Sequence, residues 1–192
     1  MAGKLITIYG VNNMGKSTHA RRLTERFEQS GQKAKYIKYP VYDLEPSGPF
    51  INKILRAGSQ KISEQELQLW FVVNRHQAAD QLEQWLEEGY VVVAEDYIGT
   101  GMAWGMAKGL SEAWVETVNQ GLRNEDLAIL ITGERGKSAV ESGHVHEENE
   151  ALIQSCYLNL QHLADKYRWR RVELQPEVDD TAELIWKVAS EH

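Results

Sequence analysis

The sequence predicts an α/β fold, a three-layer α/β/α arrangement around a central, mostly parallel five-stranded sheet. Two observations carry this. Short aliphatic and β-branched runs recur with no polar alternation, as in strands buried on both faces. Stretches with apolar residues at helical spacing lie between them, joined by short connections. Residues 4–9 (KLITIY) form the first strand. Residues 17–29 carry Ala20, Leu23 and Phe27 along one helical stripe, and Gly31 closes that helix. A second strand, 35–39 (KYIKY), stops at Pro40; a loop with Pro46 leads to a short helix over 50–56.

Ser63 and Glu66 fit a capping box that opens the longest helix, running to about Glu88 with Gly89 beyond it. Trp70, Val73 and Trp85 on this helix read mainly as core. Residues 90–94 (YVVVA) are the most strand-like run and belong in the middle of the sheet. Helices near 102–108 and 111–120 lead to a strand over 127–132 (LAILIT). A polar, glycine-bearing segment over 133–148 follows, without apolar periodicity. A helix over 149–167, a strand near 171–174 and a helix opened by Asp180 complete the chain.

Composition narrows the function. The 192 residues, 42% hydrophobic and 26% charged, read as one domain over 1–192 with core enough for an enzyme. A net charge of −7 is a poor footprint for a nucleic-acid backbone, so anions need a local pocket. A lone cysteine, Cys156, excludes an internal disulfide and a cysteine-based zinc site and points to a reducing cytoplasm. As a side chain on a helix it reads as packing. The first apolar run is too short for a signal-peptide core or a membrane span. His144 and His146 lack a positioned third ligand and read as surface imidazoles.

Between the first strand and first helix lies Gly10-Val11-Asn12-Asn13-Met14-Gly15-Lys16-Ser17, a match to G-x-x-x-x-G-K-[ST] in the strand–loop–helix setting a P-loop needs. The glycines let backbone N–H groups turn inward around a phosphate, and the helix N-terminus adds positive potential. Lys16 reaches the β- and γ-phosphates, and Ser17 offers its hydroxyl to Mg²⁺. Gly10, Asn13, Met14, Gly15, Lys16, Ser17 and Thr18 are therefore the candidate ATP-binding residues. Thr18 fits a helix-surface role equally well.

Beyond the P-loop, KYIKYP, then FVVNRHQ, then VVAEDYIGTGMAWGMAKG together resemble the thymidylate kinase family, from about Leu5 to Gly109 and more weakly beyond. The resemblance implies a P-loop kinase that moves a phosphoryl group from ATP to a deoxynucleoside monophosphate, dTMP to dTDP, with Mg²⁺, as a homodimer. It implies that Phe71 stacks on the thymine ring while Arg75 hydrogen-bonds a base carbonyl, and i, i+4 spacing puts both on one helix face. Lys38 takes the place of an arginine that holds the acceptor phosphate, beside Tyr39. Glu95 matches the acid that orders Mg²⁺ with Ser17. Thr100, Gly101 and Trp104 match positions against the nucleoside, and Tyr97 one over the deoxyribose. Arg135 and Lys137, in the lid-like segment 133–148, supply the cations that offset charge on the transferring phosphoryl group.

The chain also departs from the family. Tyr9 stands where an acid is usual, and Asn12 where an Asp contacts the acceptor's sugar. Asp96 stands where an arginine holds the acceptor phosphate. Asp96 then either points away, binds a second metal or a sugar hydroxyl, or marks a different acceptor. Two rival readings stay open: a deoxynucleoside kinase, in which Glu95 deprotonates a 5′-hydroxyl, and a nucleotide-binding regulator without transfer activity. Phe71, Trp104 and Tyr97 could also be core, Arg75 a surface ion pair, Thr100 a helix cap, and Lys38 a solvated edge residue.

Overall fold

The computed structural model describes residues 3–57, 61–133 and 150–192. Five strands, β1 (Lys4–Tyr9), β2 (Ala34–Lys38), β3 (Val91–Glu95), β4 (Leu127–Thr132) and β5 (Arg170–Glu173), form one sheet in the order β2-β3-β1-β4-β5. Every pairing is parallel. The most apolar runs take the interior places: β3 is buried at every position and β1 at all but Lys4.

Among the described residues the helices are α1 (Lys16–Gln29), α2 (Ser47–Leu55), α3 (Glu64–Glu87), α4 (Ile98–Ala107), α5 (Glu112–Val118), α6 (Glu150–Lys166) and α7 (Val178–Ser190). Right-handed crossovers assign their layers. The step from β1 to β2 runs one way along the sheet and puts α1 on one face. The later steps run the other way and put α2 to α6 on the opposite face. Accordingly α1 packs against α7, and α4 against α3, α5 and α6. Because the chain leaves β1 and β3 toward opposite faces, a crevice opens at their adjacent carboxyl ends, where such sheets bind ligands.

The capping box holds: the Glu66 amide donates to Ser63 Oγ at 3.1 Å, and α3 begins at Glu64. Three starts differ from the periodicity. α2 opens at Ser47, because Pro49 in a first turn loses no helical hydrogen bond. α7 opens at Val178. α4 opens at Ile98, four residues before the apolar pattern suggests. Its early glycines let the helix lie close to its neighbours: a Cβ on Gly99 would sit 2.3 Å from the Trp169 ring. Val73 is corrected from core to surface, 41% exposed beside exposed Leu69, while Trp70 tilts against Phe50 with ring centroids 4.4 Å apart. Cys156 is fully buried. Among the described residues, no helix is long and apolar enough to cross a membrane.

Candidate active site

The turn after β1 folds as a left-handed pocket rim. Asn13 (φ 66°) and Gly15 (φ 73°) both adopt the left-handed region, which costs glycine nothing and asparagine little. Lys16, buried at the start of α1, points its ammonium back over the loop and donates to the Val11 carbonyl at 3.1 Å. Beyond the loop lies a cleft of about 910 Å³. Asn12, Asn13, Met14, Gly15, Lys16, Ser17 and Thr18 line one end; Lys38, Tyr39, Phe71, Arg75, Glu95, Asp96, Tyr97, Thr100, Gly101 and Trp104 line the rest. Gly10 lies beneath the loop, outside that lining, and Met14's side chain is in the core, so its main chain is what faces the cleft. Arg135 and Lys137, with His144 and His146, fall outside the described residues.

The register of the sheet builds the centre. Glu95 ends β3 opposite Lys38 on β2 and Ile8 on β1. Tyr36 and Lys38, two apart on β2, share a face, and both reach Glu95. The Tyr36 hydroxyl donates to one carboxylate oxygen; the other accepts from Ser17 Oγ at 2.6 Å and lies 2.9 Å from Lys38 Nζ. Burial alone would raise the Glu95 pKa, but the Ser17, Tyr36 and Lys38 hydrogen bonds outweigh it and hold the carboxyl below its ordinary range. For Lys38, burial works against the charge and the bond to Glu95 overcomes it, so its pKa is raised. A hydroxyl and an ionised carboxylate converging at the mouth of a phosphate loop form an oxygen donor set that suits a hard divalent cation such as Mg²⁺.

Asp96 turns inward. Its backbone is left-handed (φ 59°), which aims the side chain at the P-loop: Oδ2 lies 3.8 Å from Lys16 Nζ, and Oδ1 accepts from Thr100 Oγ1 at 2.6 Å. Burial raises its pKa even beside Lys16 and Thr100. Thr100 thus sits in the first turn of α4 and braces Asp96, while Tyr97 holds the N-cap position. Tyr97 and Tyr39 are buried with ring centroids 4.9 Å apart.

At the far end, α3 presents Phe71 and Arg75 to the cleft. Arg75 is 4% exposed, donating to Asn119 Oδ1 at 2.9 Å and to the Tyr97 carbonyl at 3.4 Å, with Nε buried and unsatisfied. Burial lowers its pKa to about 10, still cationic at neutral pH. A guanidinium held this way is preorganised rather than a surface ion pair.

The thymidylate kinase family profile matches residues 8–185. The chain belongs to the thymidylate kinase family. It is 28% identical to the human thymidylate kinase over 197 residues, covering 98% of this chain and 90% of that one. It is 28% identical to the Schizosaccharomyces pombe thymidylate kinase over 173 residues, 89% of this chain and 81% of that one. The fold matches that of the Candida albicans thymidylate kinase with a TM-score of 0.82, at 24% identity, over 99% of this chain and 92% of that one.

Against that family pattern, Tyr9 makes its own local structure. It is fully buried, stacks on Trp169 with centroids 4.3 Å apart, accepts from the Gly99 amide at 3.2 Å, and donates to Glu125. The sequence reading missed several residues of the site. Tyr36 was legible from its i, i+2 relation to Lys38, and Gln68 from its place three residues before Phe71. Asn74 carried no such signal; it ties the 41–47 loop to α3 through Val41 and Ser47.

Proposed function

We propose that the protein transfers the γ-phosphoryl group of ATP to the phosphate of dTMP, giving ADP and dTDP. The observation that carries this is one continuous cleft running from the P-loop, Lys16 and Ser17, past Glu95, to the preorganised Arg75 and Phe71. Its two ends suit a polyphosphate and a planar base with a carbonyl. The acceptor phosphate oxygen attacks the γ-phosphorus, the bond to the β-γ bridging oxygen breaks, and no enzyme nucleophile takes part. Lys16 places positive charge on the β- and γ-phosphates, Lys38 and Tyr39 border the acceptor phosphate, and Asn12 faces the sugar. Phe71 stacks on the base, Arg75 donates to its carbonyl, and Thr100, Gly101, Trp104 and Tyr97 complete the nucleoside wall. Ser17 and Glu95 would hold Mg²⁺, which when bound neutralises phosphate charge. Arg135 and Lys137 are assigned from sequence position as further cations for the γ-phosphate.

Two companion readings belong here. A homodimer would use the α3 face that exposes Leu69 and Val73. A cytoplasmic setting fits the single, buried thiol of Cys156. The inward Asp96 carboxylate favours a second reading, an uncharged 5′-hydroxyl acceptor, because it sets an anion beside the phosphate site.

A coupled ADP assay with ATP, Mg²⁺ and a panel containing dTMP and thymidine decides. Turnover of dTMP that is lost in Lys16→Ala, with unchanged circular dichroism, is the expected result. Turnover of thymidine but not dTMP would establish a nucleoside kinase, and no product with any acceptor would leave a nucleotide-binding regulator.

A further inference from the structure

Gln68 belongs to the cleft yet has no part in the chemistry described so far. It is 3% exposed, lines the cleft, and lies three and seven residues before Phe71 and Arg75 on the same face of α3. Its amide orientation is fixed by chemistry. Nε2 donates to Glu64 Oε1 at 3.1 Å, and a carboxylate can only accept, so the end of the amide not committed to Glu64 is the oxygen. Glu64 is in turn held by Lys108, 2.8 Å away at the end of α4, in a pair whose side chains are 13% and 15% exposed.

The two glycines of α4 locate Gln68 relative to Arg75. A Cβ on Gly101 would lie 3.1 Å from the Arg75 guanidinium nitrogens, and one on Gly105 would lie 3.6 Å from Gln68 Cδ. Those glycines are one turn apart, roughly 6 Å of axial rise. The guanidinium and the amide therefore meet the same face of α4 about one helical turn apart, within the width of one planar base. One end donates and the other accepts. On a thymine-type base, a carbonyl is followed directly by a ring N–H.

We infer that Gln68, oriented by Glu64, is a specificity-determining residue that accepts a hydrogen bond from the ring N–H adjacent to the carbonyl read by Arg75. This rests on the acceptor being a pyrimidine monophosphate, as proposed above. Thymine satisfies both groups. Cytosine presents a lone pair at that ring nitrogen, which faces the Gln68 oxygen and is repelled. The Glu64 carboxylate thereby sets base choice without touching the reacting atoms.

The test uses the whole enzyme and steady-state kinetics with dTMP and dCMP. Gln68→Met keeps the side-chain length and removes the acceptor; KM for dTMP rises roughly tenfold, kcat stays within about threefold, and the dTMP to dCMP ratio of kcat/KM falls roughly tenfold. Glu64→Gln can donate to Gln68 and let its amide turn over, so the same ratio falls in a variant whose unfolding temperature is retained. That second variant decides the matter if the first does not fold. Unchanged ratios in both variants, or equal losses for both acceptors accompanied by lowered unfolding temperature, overturn the inference while leaving dTMP kinase activity standing. A parent enzyme that phosphorylates neither acceptor, or both equally, overturns it at the outset; only the former also overturns the proposed function.

Discussion

Asp96→Asn tests how the phosphate site is balanced. In the free protein, Lys16 lies between the Val11 carbonyl and Asp96, 3.8 Å from the carboxylate. At an effective permittivity of about 20, that separation corresponds to about 4 kcal/mol of gross attraction, much of it offset by removing both ions from water. A triphosphate must draw Lys16 away from this partner and then sit near the abandoned carboxylate. Asparagine keeps the acceptor for Thr100 and removes the charge, so both costs vanish. If about a third of the gross attraction survives as net competition, roughly 1.4 kcal/mol, the dissociation constant for a non-hydrolysable ATP analogue with Mg²⁺ falls about tenfold. Isothermal titration calorimetry on parent and variant reads this directly. The free variant should also unfold at a somewhat higher temperature near neutral pH, because burial raises the Asp96 pKa despite Lys16 and the charged carboxylate therefore costs stability there. Unchanged or weaker nucleotide binding in Asp96→Asn, with Thr100 and the fold intact, would refute the view that Asp96 competes for Lys16.

Other sites give equally definite expectations. In Gly101→Ala the new Cβ meets a guanidinium already fixed by Asn119 and Tyr97; KM for dTMP should rise several-fold with kcat little changed, and an unaltered KM would show that Arg75 does not position the base. Glu125 has its pKa raised by burial, with the Tyr9 hydrogen bond opposing in part. A raised carboxyl contributes stability that is fully present below its ordinary pKa, about 4.3, and is lost as pH rises through the folded-state value. Glu125→Gln, which still accepts from Tyr9, should therefore unfold at a higher temperature than the parent near pH 8 and match it near pH 4. Melting curves that stay parallel across that range would show the burial of this carboxylate to be inconsequential.

Features that depend on neighbours in sequence were legible before any coordinates. The P-loop announces itself because its chemistry needs glycines, lysine and serine at fixed spacing. β1, β3 and β4 do so because burial on both faces demands unbroken apolar runs, and α3 because Ser63 and Glu66 cap it. Boundaries set by distant partners were not. α4 begins at Ile98 and places Gly99 and Gly101 against Trp169 and Arg75, a close fit that periodicity does not record. Val73 fits the apolar pattern of α3 yet faces outward, because hydrophobicity does not say which side of a helix meets the sheet.

The sequence by itself determined that a phosphate-binding turn follows the first strand, that acids follow the third, and that an aromatic and an arginine share a helix face. Tertiary structure alone decided what those groups do to one another. The order β2-β3-β1 brings Lys38, Glu95 and Ser17 to one point although they are far apart in the chain. A left-handed backbone at Asp96 turns an unexpected acid toward Lys16, and Asn119 fixes Arg75 from across a helix. Local propensity follows from each residue and its neighbours, whereas the direction of a buried charge is set by the few partners that can satisfy it, and those are chosen only when the sheet and its helices close.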